Sequence, residues 1–368
     1  MREGWIAPLR DAGAPGRALD EPAAQALGRD PFEAEPAGDP LAARLDALEG
    51  GAPSAAAGWQ RLAPLAPRRR PAQLRPGRPC VPTLGEIELP EPRTWIERWL
   101  GDSDRRVMAA FNHLVEGEGP YDRFGFSPDV MQTAFPFFRA LYRGYFRAKS
   151  DGHEHIPANG PAILAANHGG LLPFDAAMTV VDVALHTDPP RLVRSVVDRW
   201  AGSLPWVNVF FARMGQVIGT RENCAELLEQ GQLLLVFPEG LEGIRKNLSQ
   251  RYRLQPFHVG FVEHALRRQA PIVPTAIVGG DDQAPILYDA KSIARWLGVP
   301  VLPVTPTFPW LGPLGLLPYP VRYRIRYGEP LDYHLRFGAE GADDARLVHY
   351  LAKQARGSIQ KLLDRSRP

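Results

Sequence analysis

The chain has 368 residues, 45% of them hydrophobic, and a formal net charge of +2. That charge is too small to point to a nucleic-acid partner. Two cysteines, Cys80 and Cys224, exclude a disulfide framework or a zinc site. Arginine outnumbers lysine 38 to 5, which genomic base composition explains as well as function does.

Residues 1–92 are rich in Ala, Pro, Gly and Arg, with few aromatics. Such a segment buries too little apolar surface to offset its ordering entropy, so it reads as a disordered tail. Its start lacks the apolar stretch of a secretory signal. About 276 residues remain, enough for one sizeable core.

Residues 93–150 read as a helical segment. A turn or two covers 95–100. A second helix opens at Asp102, with Val107, Phe111 and Leu114 on one face. A third starts at Ser127 and Pro128 and carries Met131, Phe135, Phe138, Leu141, Tyr142 and Tyr145. Pro136 is expected to kink it. Arg139, Arg143 and Arg147 share its surface, so the helix suits either an anionic bilayer or ordinary core packing, the commoner fate.

From residue 151 strands and helices alternate. Strands are expected at 162–166, 192–197, 233–237, 272–278 and 321–327, with helices near 175–185, 222–230 and 257–268. Alternation of this kind predicts an α/β fold, a mainly parallel central sheet flanked by helices, over residues 151–338. The last strand alternates Val321, Tyr323, Ile325 and Tyr327 with Arg322, Arg324 and Arg326, which suits a half-exposed or edge strand. Pro271 and Pro274 likewise suit an edge or first position for the strand before it. Residues 339–368 hold a terminal helix over 343–363, packed through Leu347, Leu351, Ile359 and Leu362.

The longest uncharged run, 296–321, is long enough to span a bilayer but contains seven prolines. Each interior proline costs a helix about 3 kcal/mol, so the run is expected to be irregular, buried or resting on a membrane. No stretch reads as a transmembrane helix.

Four segments carry chemistry. The apolar strand ending at Ala166 is followed by Asn167, His168, Gly169 and Gly170, and then by Asp175 at the start of a helix. A histidine leaving a strand, near a carboxylate, can deprotonate a hydroxyl. For an isolated pair, a loop histidine and a helix-capping Asp is the commoner arrangement. Gly215, Ile218 and Arg221 precede a helix, where Arg and free amides favour an anion. A salt bridge to Glu222 or Glu226 accounts for that Arg equally well. Phe237, Pro238, Glu239 and Gly240 leave a buried strand, with Arg245 and Lys246 close behind. Pro274 lies in the last block, where it shapes a cleft wall. Asp281 and Asp282 lack a third spaced ligand, so no metal site is expected. In open α/β sheets, ligands bind outside the carboxyl ends of strands, where three of these segments fall.

Taken in order, the four segments resemble those of the glycerophosphate and lysophospholipid acyltransferase family, in a bacterial branch similar to mono- and diacylglycerol acyltransferase-like proteins. The usual His–Asp spacing is four residues, and here it is six. The third block ends in Leu241, Glu242 and Gly243, departing from the family's usual Thr-Arg-Ser. The resemblance implies transfer of a fatty acyl group from acyl-CoA or acyl carrier protein to a lipid hydroxyl, without a further cofactor. It makes His168 the general base and Asp175 its orienting partner. Arg221 would hold a phosphate, Glu239 would position the acceptor, and the Gly169 and Gly170 amides would stabilise the oxyanion. Asn167, Gly215, Phe237, Pro238, Gly240, Arg245, Lys246 and Pro274 complete the implied substrate site. The implied partners are a lipid acceptor, an acyl thioester donor and the cytoplasmic face of a membrane, touched peripherally. Oligomeric state stays open. Two other classes compete: a non-catalytic lipid-binding protein of the same fold, and a serine hydrolase, for which no Gly-x-Ser-x-Gly elbow exists.

Overall fold

Ala162–Ala166 forms strand β2, and every residue of it is buried. A continuous apolar run is what a strand covered on both faces requires. Alternation sends Ala162, Leu164 and Ala166 into one core and Ile163 and Ala165 into the other. Around β2 lie β1 (Lys149–Asp151), β3 (Val193–Val197), β4 (Val217–Ile218), β5 (Leu233–Val236), β6 (Ile272–Val278) and β9 (Arg324–Tyr327). They form one seven-stranded sheet in the order β1-β9-β6-β2-β5-β3-β4. All neighbours pair in parallel except β6 with β9. A separate hairpin joins β7 (Tyr288–Asp289) to β8 (Pro303–Val304). The computed structural model describes residues 101–115, 119–170, 172–203, 206–297, 299 and 301–367. The expected tail over 1–92, the helical turn at 95–100 and Cys80 lie outside the described residues.

Helices cover both faces. On one, α1 (Asp102–Asn112), α2 (Pro128–Ala140) and α3 (Phe174–His186) pack Phe111, Met131, Phe135 and Met178 against the sheet. Each such side chain contributes about 1.5–3 kcal/mol on burial. The buried Met131, Phe135 and Tyr142 show that the aromatic helix is core, and Arg139 pairs with the buried Asp104. Past Ala140 the helix continues as a π-turn, Leu141–Tyr145.

On the other face lie α6 (Arg221–Glu229), α8 (Gly260–Arg267) and α11 (Ala345–Ser366). Asp344 caps α11, its carboxylate accepting the Arg346 and Leu347 amides at 2.9 and 3.2 Å. Val348, Leu351, Ala355, Ile359 and Leu363 then recur at helical spacing and are buried. Shorter helices are α4 (Arg199–Ser203), α5 (Val207–Arg213), α7 (Gly240–Ile244), α9 (Lys291–Leu297) and α10 (Tyr333–Phe337). Among the described residues, no helix is long and apolar enough to cross a membrane.

Two expectations need correction. The last strand is half-exposed but not at the edge, because the three-residue β1 pairs outside it. Pro274 lies inside β6, between β2 and β9, rather than at an edge or first position. Its carbonyl accepts the Gly328 amide at 2.8 Å, so its missing N–H faces the side where the chain has already left the β9 ladder.

Candidate active site

β2 is central in the sheet, so the residue that follows it emerges between the ends of β5 and β6. Asn167 leaves the strand first, and its side-chain amide bonds both backbone groups of Ile277, at 2.9 and 2.7 Å. It thereby extends the β2–β6 ladder and is fully engaged with protein. His168 comes next. Its Nδ1 lies 2.6 Å from Asp175 Oδ2. A carboxylate acceptor there places the ring proton on Nδ1 and leaves the Nε2 lone pair free to take another. The ring stacks on Phe237 with centroids 4.3 Å apart.

Asp175 is the second residue of α3, where the helix dipole favours a negative charge. Its buried carboxylate also accepts the Gly169 and Ala176 amides, at 3.1 and 2.8 Å. The six-residue separation therefore still brings His168 and Asp175 together. It also alters the expected oxyanion arrangement, because the Gly169 amide is committed to Asp175.

Glu239, just past β5, is buried. Oε1 accepts the His168 amide at 3.0 Å and Oε2 the Gln255 amide at 2.8 Å. Lys246 Nζ lies 3.4 Å from both Glu239 and Asp281. Burial pushes the Glu239 carboxyl upward, and Lys246 and the two amides oppose that rise. Glu239 and Lys246 thus brace the backbone under the histidine.

His168, Phe237, Glu239 and Gly240 line an apolar cleft of about 590 Å³. It opens beyond the carboxyl ends of β2, β3 and β5, as open α/β sheets place their ligands. Its walls come from two stretches of chain, one contributing Trp200, Val207 and Phe211 and the other Val301, Phe308 and Leu316. Other expected site residues lie elsewhere. Arg221 bonds Glu263 at 2.7 Å. Arg245 bonds Glu242 at 2.8 Å. Gly215, with φ of 84°, packs near Phe126 and Arg194. Pro238 accepts the His258 amide at 2.9 Å. None of these five, Pro274 included, lines the cleft.

Comparison with known proteins decides the family. A profile described as Acyltransferase matches residues 147–278. An uncharacterized protein of Mycobacterium leprae is 40% identical over 263 residues, covering 70% of this chain and 71% of that protein. The chain belongs to the acyltransferase family.

A human protein named "DGAT1/2-independent enzyme synthesizing storage lipids" is 27% identical to the acyltransferase, over 64% of this chain and 66% of its own. The crystal structure of the 1-acyl-sn-glycerophosphate acyltransferase PlsC from Thermotoga maritima aligns at a TM-score of 0.41 and 16% identity, covering 72% and 95% of the two chains. The sequence reading missed His258 and Asp198, which line the cleft of the acyltransferase. Neither sits in a distinctive motif. Position at a strand end is the signal for Asp198, one residue past β3.

Proposed function

We propose that the protein transfers a fatty acyl group from an acyl thioester, acyl-CoA or acyl carrier protein, to a hydroxyl of a glycerolipid or lysophospholipid. The acceptor hydroxyl attacks the thioester carbonyl, and its proton passes to His168 Nε2. Asp175 steadies the imidazolium. Collapse of the tetrahedral intermediate forms the ester and breaks the C–S bond, and the leaving thiolate takes the proton from the imidazolium. No acyl-enzyme is formed. The observation that carries this reading is the 2.6 Å contact between His168 and Asp175 at the wall of an apolar cleft. The human relative is named as an enzyme synthesizing storage lipids, which supports a lipid acceptor.

The protein works peripherally at the cytoplasmic face of a membrane. Trp206, Trp296 and Trp310 are 84%, 83% and 77% exposed, and they stand on or beside the two segments that wall the cleft. Tryptophan left in water at this density suits a bilayer surface. The test is thiol release and ester formation by purified protein given palmitoyl-CoA with diacylglycerol, monoacylglycerol or lysophosphatidic acid. His168→Ala should lower the rate by about 100-fold or more. A His168→Ala variant that retains the rate removes the base assignment, and lipid binding without turnover by the wild type favours a binding protein.

A further inference from the structure

We infer that Gln283 is a positioning residue for His168: its side chain fixes the course of the lengthened His168–Asp175 loop and so keeps the two groups in contact. The inference rests on the proposed role of His168.

Gln283 is buried and follows β6, far from the loop in sequence. Its Nε2 donates to the carbonyls of Gly169 at 3.1 Å and Leu172 at 3.4 Å, two points along the same loop. Its Oε1 accepts the Tyr323 hydroxyl at 2.9 Å. Burial, and then the charge of Asp175, push the Tyr323 phenol well above its ordinary range, so it remains a donor. The backbone of Gln283 is tied as well: its amide donates to Gly279 at 3.0 Å and its carbonyl accepts from Tyr319 at 2.7 Å. The amide head is therefore held from three sides.

The loop is shaped to receive it. Gly170 has φ of +84°, and a Cβ built there would lie 2.0 Å from Gln283 Nε2. The glutamine occupies the space of the missing side chain. Gly169 is the link to chemistry, since its carbonyl is held by Gln283 while its own amide bonds Asp175 Oδ2 at 3.1 Å. Releasing the carbonyl frees the residue that ties His168 to Asp175. Gln283 does not line the cleft, so it acts through the loop and not on substrate.

The test compares wild type, Gln283→Leu and Tyr323→Phe. The measurements are kcat, KM for palmitoyl-CoA, and the low-field proton NMR resonance of the His168 Nδ1–H, identified by its loss in His168→Ala. Gln283→Leu should lose or broaden that resonance and lower kcat by about tenfold to a hundredfold, with KM changed less than about twofold. Tyr323→Phe, which removes one hydroxyl, should shift both in the same direction by less. A wild-type resonance and kcat in Gln283→Leu overturn the inference. If that variant does not fold, the same wild-type pair of results in Tyr323→Phe overturns it. If the wild type turns over no acceptor, the resonance alone decides, which separates failure of this inference from failure of the proposed reaction.

Discussion

His264 on α8 couples the stability of this protein to pH. Burial, and then Arg221, Arg268 and Arg267 nearby, push its imidazole down to about 4. Between that value and the ordinary 6.5, the unfolded chain binds a proton that the folded chain refuses. Its contribution is thus fully present above the unfolded value and is lost as pH falls toward the folded one. The loss between pH 7 and pH 5 is about 2 kcal/mol. His264→Leu should flatten that part of the profile, seen as a smaller difference between urea midpoints at pH 7 and pH 5. At the same scale, the site was partly legible. His168 and Asp175 stand out because a strand end and a helix start are readable from local pattern. Arg221 is expected to hold an anion because it is basic and precedes a helix, and Lys246 to belong to the substrate site because it follows the third block. Glu263, the partner of Arg221, and Asp281, one partner of Lys246, come from other parts of the chain, whereas Glu239 stands seven positions before Lys246. Local sequence contains no trace of the pairings with Glu263 and Asp281.

At the scale of elements, α7 packs closely against the residues that leave β2 and β5. A Cβ built on Gly243 would lie 2.9 Å from the Cβ atoms of both Glu239 and His168. Replacing glycine with alanine in a helix ordinarily gains about 1 kcal/mol. Overpacking costs about 1–3 kcal/mol, and here it also presses on His168, the proposed base, so it should win. Gly243→Ala is expected to lower the urea midpoint and to reduce the transfer rate about tenfold, a larger effect than the stability loss alone would give. Long, strongly patterned elements were readable in advance: β2 and β6 fall where the apolar runs predicted, and α11 where its stripe did. Short ones were not. β1 and β4 contain three and two residues, too few for any periodicity, and they exist because a neighbouring strand offers unpaired backbone groups.

For the whole molecule, the two cleft walls meet water with unusually apolar surfaces. Leu311, Leu314 and Leu317 are exposed beside Trp310, and Val209 and Phe210 beside Trp206. Each large apolar side chain withdrawn into lipid is worth about 1.5–3 kcal/mol. The double variant Trp206→Ser, Trp310→Ser should therefore sediment with phosphatidylglycerol vesicles at least about tenfold less, while its melting temperature stays unchanged. Vesicle binding equal to wild type would remove this surface as the membrane face. Sequence by itself determined the α/β alternation and the order of the motifs, because each depends on periodicity or on residues close in the chain, whereas the contact between His168 and Asp175 across a six-residue separation was decided by the fold. Only the tertiary structure decided that Asn167 binds the sheet, that Glu239 braces the histidine backbone, and that Gln283 reaches back 114 positions to Gly169. Those contacts are set by the strand order β6-β2-β5, which brings segments distant in sequence to one end of the sheet.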